Sequence, residues 1–183
     1  MPYTDLTQRV LERLNATSVA VHDLAPTLSA FQITPEHLAS EEAAQPLLSD
    51  IQRGSGAGRC LYVLQVCDAD LGQAHLTNFQ DGFAAAKDHA AGSLKFSRLN
   101  KVEPSRVLYV GSSLTLRSRI KEHLGYGSKQ TYALRLNSWV PACGIDLLVA
   151  AYDRDAPDET VLLLEDTLWR HLMPMFGRSG SAR

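Results

Sequence analysis

Five side chains in this sequence are of types suited to proton transfer and to stabilising negative charge: Tyr62, Tyr109, Arg119, His123 and Glu165. Arg119 and His123 stand four apart, so a helix over 114–124 sets them one turn from each other at the edge of an apolar stripe made by Leu116, Ile120 and Leu124. Glu165 falls inside the stripe Val161, Leu164, Leu168, Leu172 of a second helical pattern over 158–174. A carboxylate among aliphatic side chains is costly unless its charge is compensated, either by an arginine in a structural ion pair or by a divalent cation that accepts oxygen ligands. Tyr62 and Tyr109 sit in two runs rich in β-formers. A tyrosine in a strand is either a packing residue with a wet hydroxyl or a proton donor and acceptor.

These residues need elements to position them. CLYVLQV (60–66) and RVLYVG (106–111) read as strands, and GIDLLVAAYD (144–153) as a third. Between the first two, Phe79, Phe83, Ala86 and Ala90 recur at helical spacing over 73–91, so the connection holds a helix. The helix over 114–124 ends at Gly125, a short helix is expected over 131–138, and the last helix stops at Pro174. Upstream, 4–14 carries Leu6, Val10 and Leu14 on one face behind a Thr4 or Asp5 cap, and 41–53 is also helical, so the first 50 or so residues read as all-helical. GSGAG at 54–58 separates this part from the rest. The division expected is a helical accessory segment over 1–53 and a second domain over 59–183 with an insert at about 67–105.

The net charge of −2 conceals a local excess, because residues 94–137 hold nine cations against two carboxylates, a charge of +7. A phosphate-binding face needs such an excess, since each neutralised phosphate releases condensed counterions; a solvated basic face has the same composition. The candidates for nucleic-acid contact are Lys95, Arg98, Lys101, Arg117, Lys121, Lys129 and Arg135. Cys60, Cys67 and Cys143 are an odd number without CxxC spacing, which points away from a disulfide framework or a zinc site. The start MPYTDLTQRV lacks the layout of a secretory signal, and no run approaches the roughly 18 apolar residues of a membrane span. A cytoplasmic protein with no membrane partner is expected.

Taken in order, the motifs resemble the GIY-YIG nuclease superfamily. Cys60-Leu61-Tyr62 stands where GIY is expected and Tyr109-Val110-Gly111 matches YIG. Arg119 follows Tyr109 by ten residues, and His123 comes four later in SSLTLRSRIKEHL. In LEDTLWRHLMPMFG, Glu165 is followed nine residues on by Pro174. The resemblance covers about 59–178, and its specificity lies in ordered spacing. The first motif lacks its glycine, the two tyrosines are farther apart than in compact members, and Gly177 stands where the family carries an asparagine.

The resemblance implies an α+β fold, a small antiparallel three-stranded sheet flanked by helices, here with an N-terminal helical segment and a helical insert. It implies a metal-dependent endonuclease acting on nucleic acid, DNA in preference to RNA, with one divalent metal, Mg²⁺ or Mn²⁺, held by Glu165. Tyr62 would be the general base, Tyr109 would order the water, Arg119 would clamp the phosphate and His123 would orient it or a hydroxyl. A non-catalytic nucleic-acid-binding module on the same fold is the competing class. A third reading makes residues 1–53 a surface for a protein partner or self-association.

Overall fold

The computed structural model describes residues 21–67 and 73–180 together with isolated positions between 8 and 19. The stripe Leu6, Val10, Leu14 expected of a first helix lies outside these described residues. No helix among the described residues is long and apolar enough to cross a membrane.

The frame is an antiparallel sheet in the order β1-β4-β2-β3, with β1 over Thr27–Ile33, β2 over Cys60–Val66, β3 over Val107–Ser113 and β4 over Ile145–Ala151. From β1 onward the helices are α1 (Pro35–Ala39), α2 (Glu41–Gly54), α3 (Gln73–His89), α4 (Leu116–Leu124) and α5 (Asp158–Leu172). The three expected strands occupy nearly the expected residues, and α3 is the helix of the insert. Four strands, not three, make the sheet, and the correction falls in the part read as all-helical. TLSAFQI pairs along its whole length with β4, from Thr27 opposite Ala151 to Ile33 opposite Ile145. Its alternation is faint because the outward face carries Leu28, which is 76% exposed, alongside the inward Phe31 and Ile33. The helix expected over 131–138 shrinks to a 3₁₀ turn over Leu136–Ser138.

Two clusters of buried side chains lie on the two faces of the sheet. One holds Tyr62, Leu64 and Tyr109 with Ile120 and Leu124 of α4, Leu47, Leu48 and Ile51 of α2, and Phe79 and Phe83 of α3. Residues 27–54 therefore share a core with the motif-bearing part of the chain. The other packs Val161, Leu164 and Leu168 of α5 against Leu61, Val63 and Val110. The N-terminus of α5 is tied to β2 by Arg59, whose Nε and Nη2 donate to Asp158 at 2.8 and 2.9 Å.

β3 is an edge strand with a bulge. Leu64 pairs with Tyr109 but Gln65 with Val107, so Leu108 is an extra residue, and both Leu108 and Tyr109 turn into the α2–α4 core. The C-terminal segment covers the bulged end, where Met175 N–H and Phe176 N–H donate to the carbonyls of Val107 and Leu108. The end carrying Gly111 and Ser112 is left beside the groove described next.

Candidate active site

Helical geometry brings Arg119 and His123 onto one face of α4, toward β2 and β3, and sends Arg117 and Lys121 to the other. Arg117 Nη2 donates to Gln45 Oε1 at 3.1 Å and Lys121 Nζ pairs with Glu41 at 2.6 Å, so both basic residues fasten α4 to α2. Inward, Arg119 Nε donates to the Tyr62 hydroxyl at 3.3 Å and Nη2 to the Tyr109 hydroxyl at 3.1 Å. Its Nη1 donates to Glu122 Oε2 at 2.9 Å. The two tyrosine rings are stacked, 6.0 Å apart and 15° from parallel.

His123 completes this network with a fixed tautomer. The N–H of Leu134 donates to Nδ1 at 3.2 Å, so the ring proton of the neutral imidazole lies on Nε2, 3.0 Å from the Tyr62 oxygen. Burial, with Arg119 and Arg135 nearby, holds its ionisation well below the usual histidine range. The Tyr62 oxygen thus accepts two hydrogen bonds, from arginine and from neutral histidine. Tyr62 is 1% exposed, and burial, reinforced by Tyr109 and opposed by Arg119, pushes its ionisation up.

Two glycines make room for this arrangement. A Cβ on Gly111 would stand 2.7 Å from Tyr109 Cε1 and 2.9 Å from the Tyr62 hydroxyl. Gly177 adopts φ +101°, and a Cβ there would stand 2.7 Å from Tyr109 Cε2. An asparagine at this position would collide with the Tyr109 ring.

Glu165 reaches β3 from the opposite face. It is fully buried, and Oε2 accepts a hydrogen bond of 2.6 Å from Ser112 Oγ. The chain passes close by at Gly180, where a Cβ would lie 3.4 Å from Glu165 Oε2 and 3.3 Å from Asp166 Oδ1. Among the described residues no group of three or more His, Cys, Asp or Glu side chains could hold a metal. The carboxylate and hydroxyl oxygens at this point are hard donors that suit Mg²⁺ or Mn²⁺, ions often held by one or two carboxylates with water and phosphate oxygens completing the shell.

A groove of about 1020 Å³ is lined by Tyr109, Ser112 and Arg119, while Glu165 lies behind Ser112 and is not part of the lining. Lys95 and Arg98 of the insert line it, and Lys87 and Arg178 join them. Lys101 and Lys129 are exposed but are not among the residues of its wall. Arg135 is a correction: it is 1% exposed, with Nη2 donating to the carbonyls of Ser128 and Thr131, so burial keeps it from any polymer.

Four of the five candidate residues thus meet in one hydrogen-bonded network, while Glu165 joins β3 through Ser112. Sequence reasoning missed Ser112, Glu122, Lys87 and Arg178. Ser112 had a signal, since it follows the Tyr109-Val110-Gly111 motif directly and strand alternation sends it to the α5 face. No family model, curated protein or solved structure matches this chain.

Proposed function

We propose that this protein is a metal-dependent phosphodiesterase of the GIY-YIG type that hydrolyses nucleic acid, DNA in preference to RNA. The observation that carries the reading is a guanidinium lining a cationic groove and donating to two tyrosine hydroxyls, that of Tyr109, which also lines the groove, and that of the buried Tyr62.

A phosphate entering the groove competes with Glu122 for Arg119 Nη1, and the released N–H then bonds a phosphoryl oxygen as its charge grows. Tyr109 is the tyrosine that lines the groove, so in its deprotonated form it takes the proton of the attacking water while the water oxygen bonds to phosphorus and the bond from phosphorus to the leaving oxygen breaks. The base role expected of Tyr62 passes to Tyr109, because Tyr62 is buried behind it. Tyr62, held by Arg119 and by His123 Nε2–H, fixes the plane of the guanidinium. Glu165, with Ser112, would hold the divalent ion, which when bound neutralises charge on the phosphate and the leaving oxygen.

The test is cleavage of plasmid, oligonucleotide DNA and RNA with Mg²⁺ or Mn²⁺ by the wild type, Arg119→Ala and Glu165→Ala. Cutting by the wild type and its loss in both variants is expected; equal cutting by all three would overturn the reading. One observation favours a second reading, a binding module without turnover. The Glu165 carboxylate is wholly buried and already bonded to Ser112. That reading predicts tight oligonucleotide binding with intact products at every metal concentration.

A further inference from the structure

One wall of the groove is built on backbone hydrogen bonds, where the insert pairs with the segment after α4: Lys95 N–H donates to Lys129, Ala133 N–H to Lys95 and Ser97 N–H to Ala133. The tail is bonded to the same insert, Gly177 N–H donating to the carbonyl of Arg98 at 2.8 Å. Tyr109 and Arg119 also line the groove, and Tyr109 is recessed, 5% exposed. The lining carries five cations, Lys87, Lys95, Arg98, Arg119 and Arg178, against Asp88 and Glu122.

On the insert side the wall bears Tyr132, which is 62% exposed. Its loop is not slack. Arg135, buried beneath it, donates to the carbonyls of Ser128 and Thr131, while Ala133 is held by the bridge to Phe96. Arg135 commits its Nη2 to this loop even though its Nε and Nη1 have no hydrogen-bond partner among the described residues. A large aromatic face on a braced loop is presented to the groove at little further ordering cost on binding.

We infer that the groove takes single-stranded nucleic acid, with an unpaired base stacked on Tyr132 and the adjoining backbone led by Lys95, Arg98 and Arg178 to Tyr109 and Arg119. The inference rests on the nucleic-acid reading above and specifies its substrate. A duplex displays phosphates on a convex surface and keeps its bases stacked inside. It cannot offer a base face to the wall and a phosphate to a recessed floor together, whereas an unpaired strand can. Stacking is tolerant of sequence, because every base has a π-face, so little base preference is expected at this position.

The test is fluorescence anisotropy of the full chain in EDTA, which keeps the probes intact, with labelled single-stranded DNA, single-stranded RNA and a blunt DNA duplex of the same sequence. Single strands are expected to bind about tenfold or more tightly than the duplex, and the two single-strand arms tell DNA from RNA. Tyr132→Ala is expected to weaken single-strand binding by about 5- to 100-fold, with Tyr132→Phe and Tyr132→Trp close to wild type. Because Tyr132 is exposed, its variants should melt with the wild type, so lost affinity is not lost fold. Duplex binding as tight as single-strand binding, or an unchanged Tyr132→Ala, overturns the inference. Single-strand binding without cleavage upholds it and removes only the hydrolase, while failure of every oligonucleotide to bind overturns both.

Discussion

On the α4 side of β3, Tyr62, Tyr109, Arg119 and His123 share one network in which each polar group is the partner of another. On the α5 side, the Glu165 carboxylate accepts from the Ser112 hydroxyl beside a cluster of aliphatic side chains. The first arrangement couples its members, so one deletion strands several polar groups; the second centres on a single carboxylate. Buried polar networks are safe only when complete. The same strand thus supports two kinds of site, one that ties function to the integrity of the fold and one in which they can be separated.

Arg119→Ala gives the largest expected effect, because it removes three donated hydrogen bonds at once. The turnover number should fall by about 10²–10³, the scale for loss of a charge-stabilising donor. Denaturant melts should also show a loss of about 2–4 kcal/mol, since buried hydroxyls are left without that donor. Glu165→Gln should abolish metal-dependent cleavage while leaving the melting curve nearly unchanged, because the amide oxygen can still accept from Ser112. If Glu165→Gln unfolded the protein and Arg119→Ala did not, the contrast between the two faces would be reversed.

Gly177→Asn sharpens the comparison from the tail. The positive φ and the 2.7 Å approach to Tyr109 should cost about 1–3 kcal/mol, read from urea midpoints, and the same change should lower activity by moving the Tyr109 ring. A Gly177→Asn variant as active and stable as the wild type would mean that the ring yields freely.

The α4 network also has a pH signature. His123 stays neutral in the folded chain below the pH at which it protonates when unfolded, so the unfolded state binds the extra proton. Stability is therefore full above about pH 6.5 and falls as pH drops below it, by up to about 1.4 kcal/mol per unit for one proton. In His123→Gln this slope should be shallower by that amount in chemical melts between pH 5 and 6.5. Identical slopes would sink the assignment of a neutral, Tyr62-bonded imidazole.

Glu122→Gln should give the smallest effect. It removes the carboxylate that competes with phosphate for Arg119, so oligonucleotide binding should tighten by about two- to fivefold, with a steeper salt dependence. Anisotropy titrations at two salt concentrations measure both.

Spacing carried much of this architecture. Strand β2 ends where its β-forming run ends, α4 stops at Gly125, and the four-residue step from Arg119 to His123 puts both on one helix face. These are local facts, set by side-chain period and backbone chemistry within a few residues. β1 escaped because its outward face is nearly as apolar as its inward one, and only pairing with β4 makes it a strand. The seven candidate cations were a matter of composition. Which of them meet a groove depended on what packs against α4 and the loop after it, and that gave Arg117 and Lys121 to α2 and buried Arg135.

By itself the sequence determined the identities of Tyr62, Tyr109, Arg119, His123 and Glu165, the helix and strand periods that aim them, and the apolar stripe that buries Glu165. Only the tertiary structure decided that four of them interlock, that Tyr109 and not Tyr62 faces the groove, and that Ser112 joins Glu165 to β3. The physical reason is that direction within an element follows from local geometry, whereas exposure and hydrogen-bond partners depend on residues brought from 10 to 61 positions away.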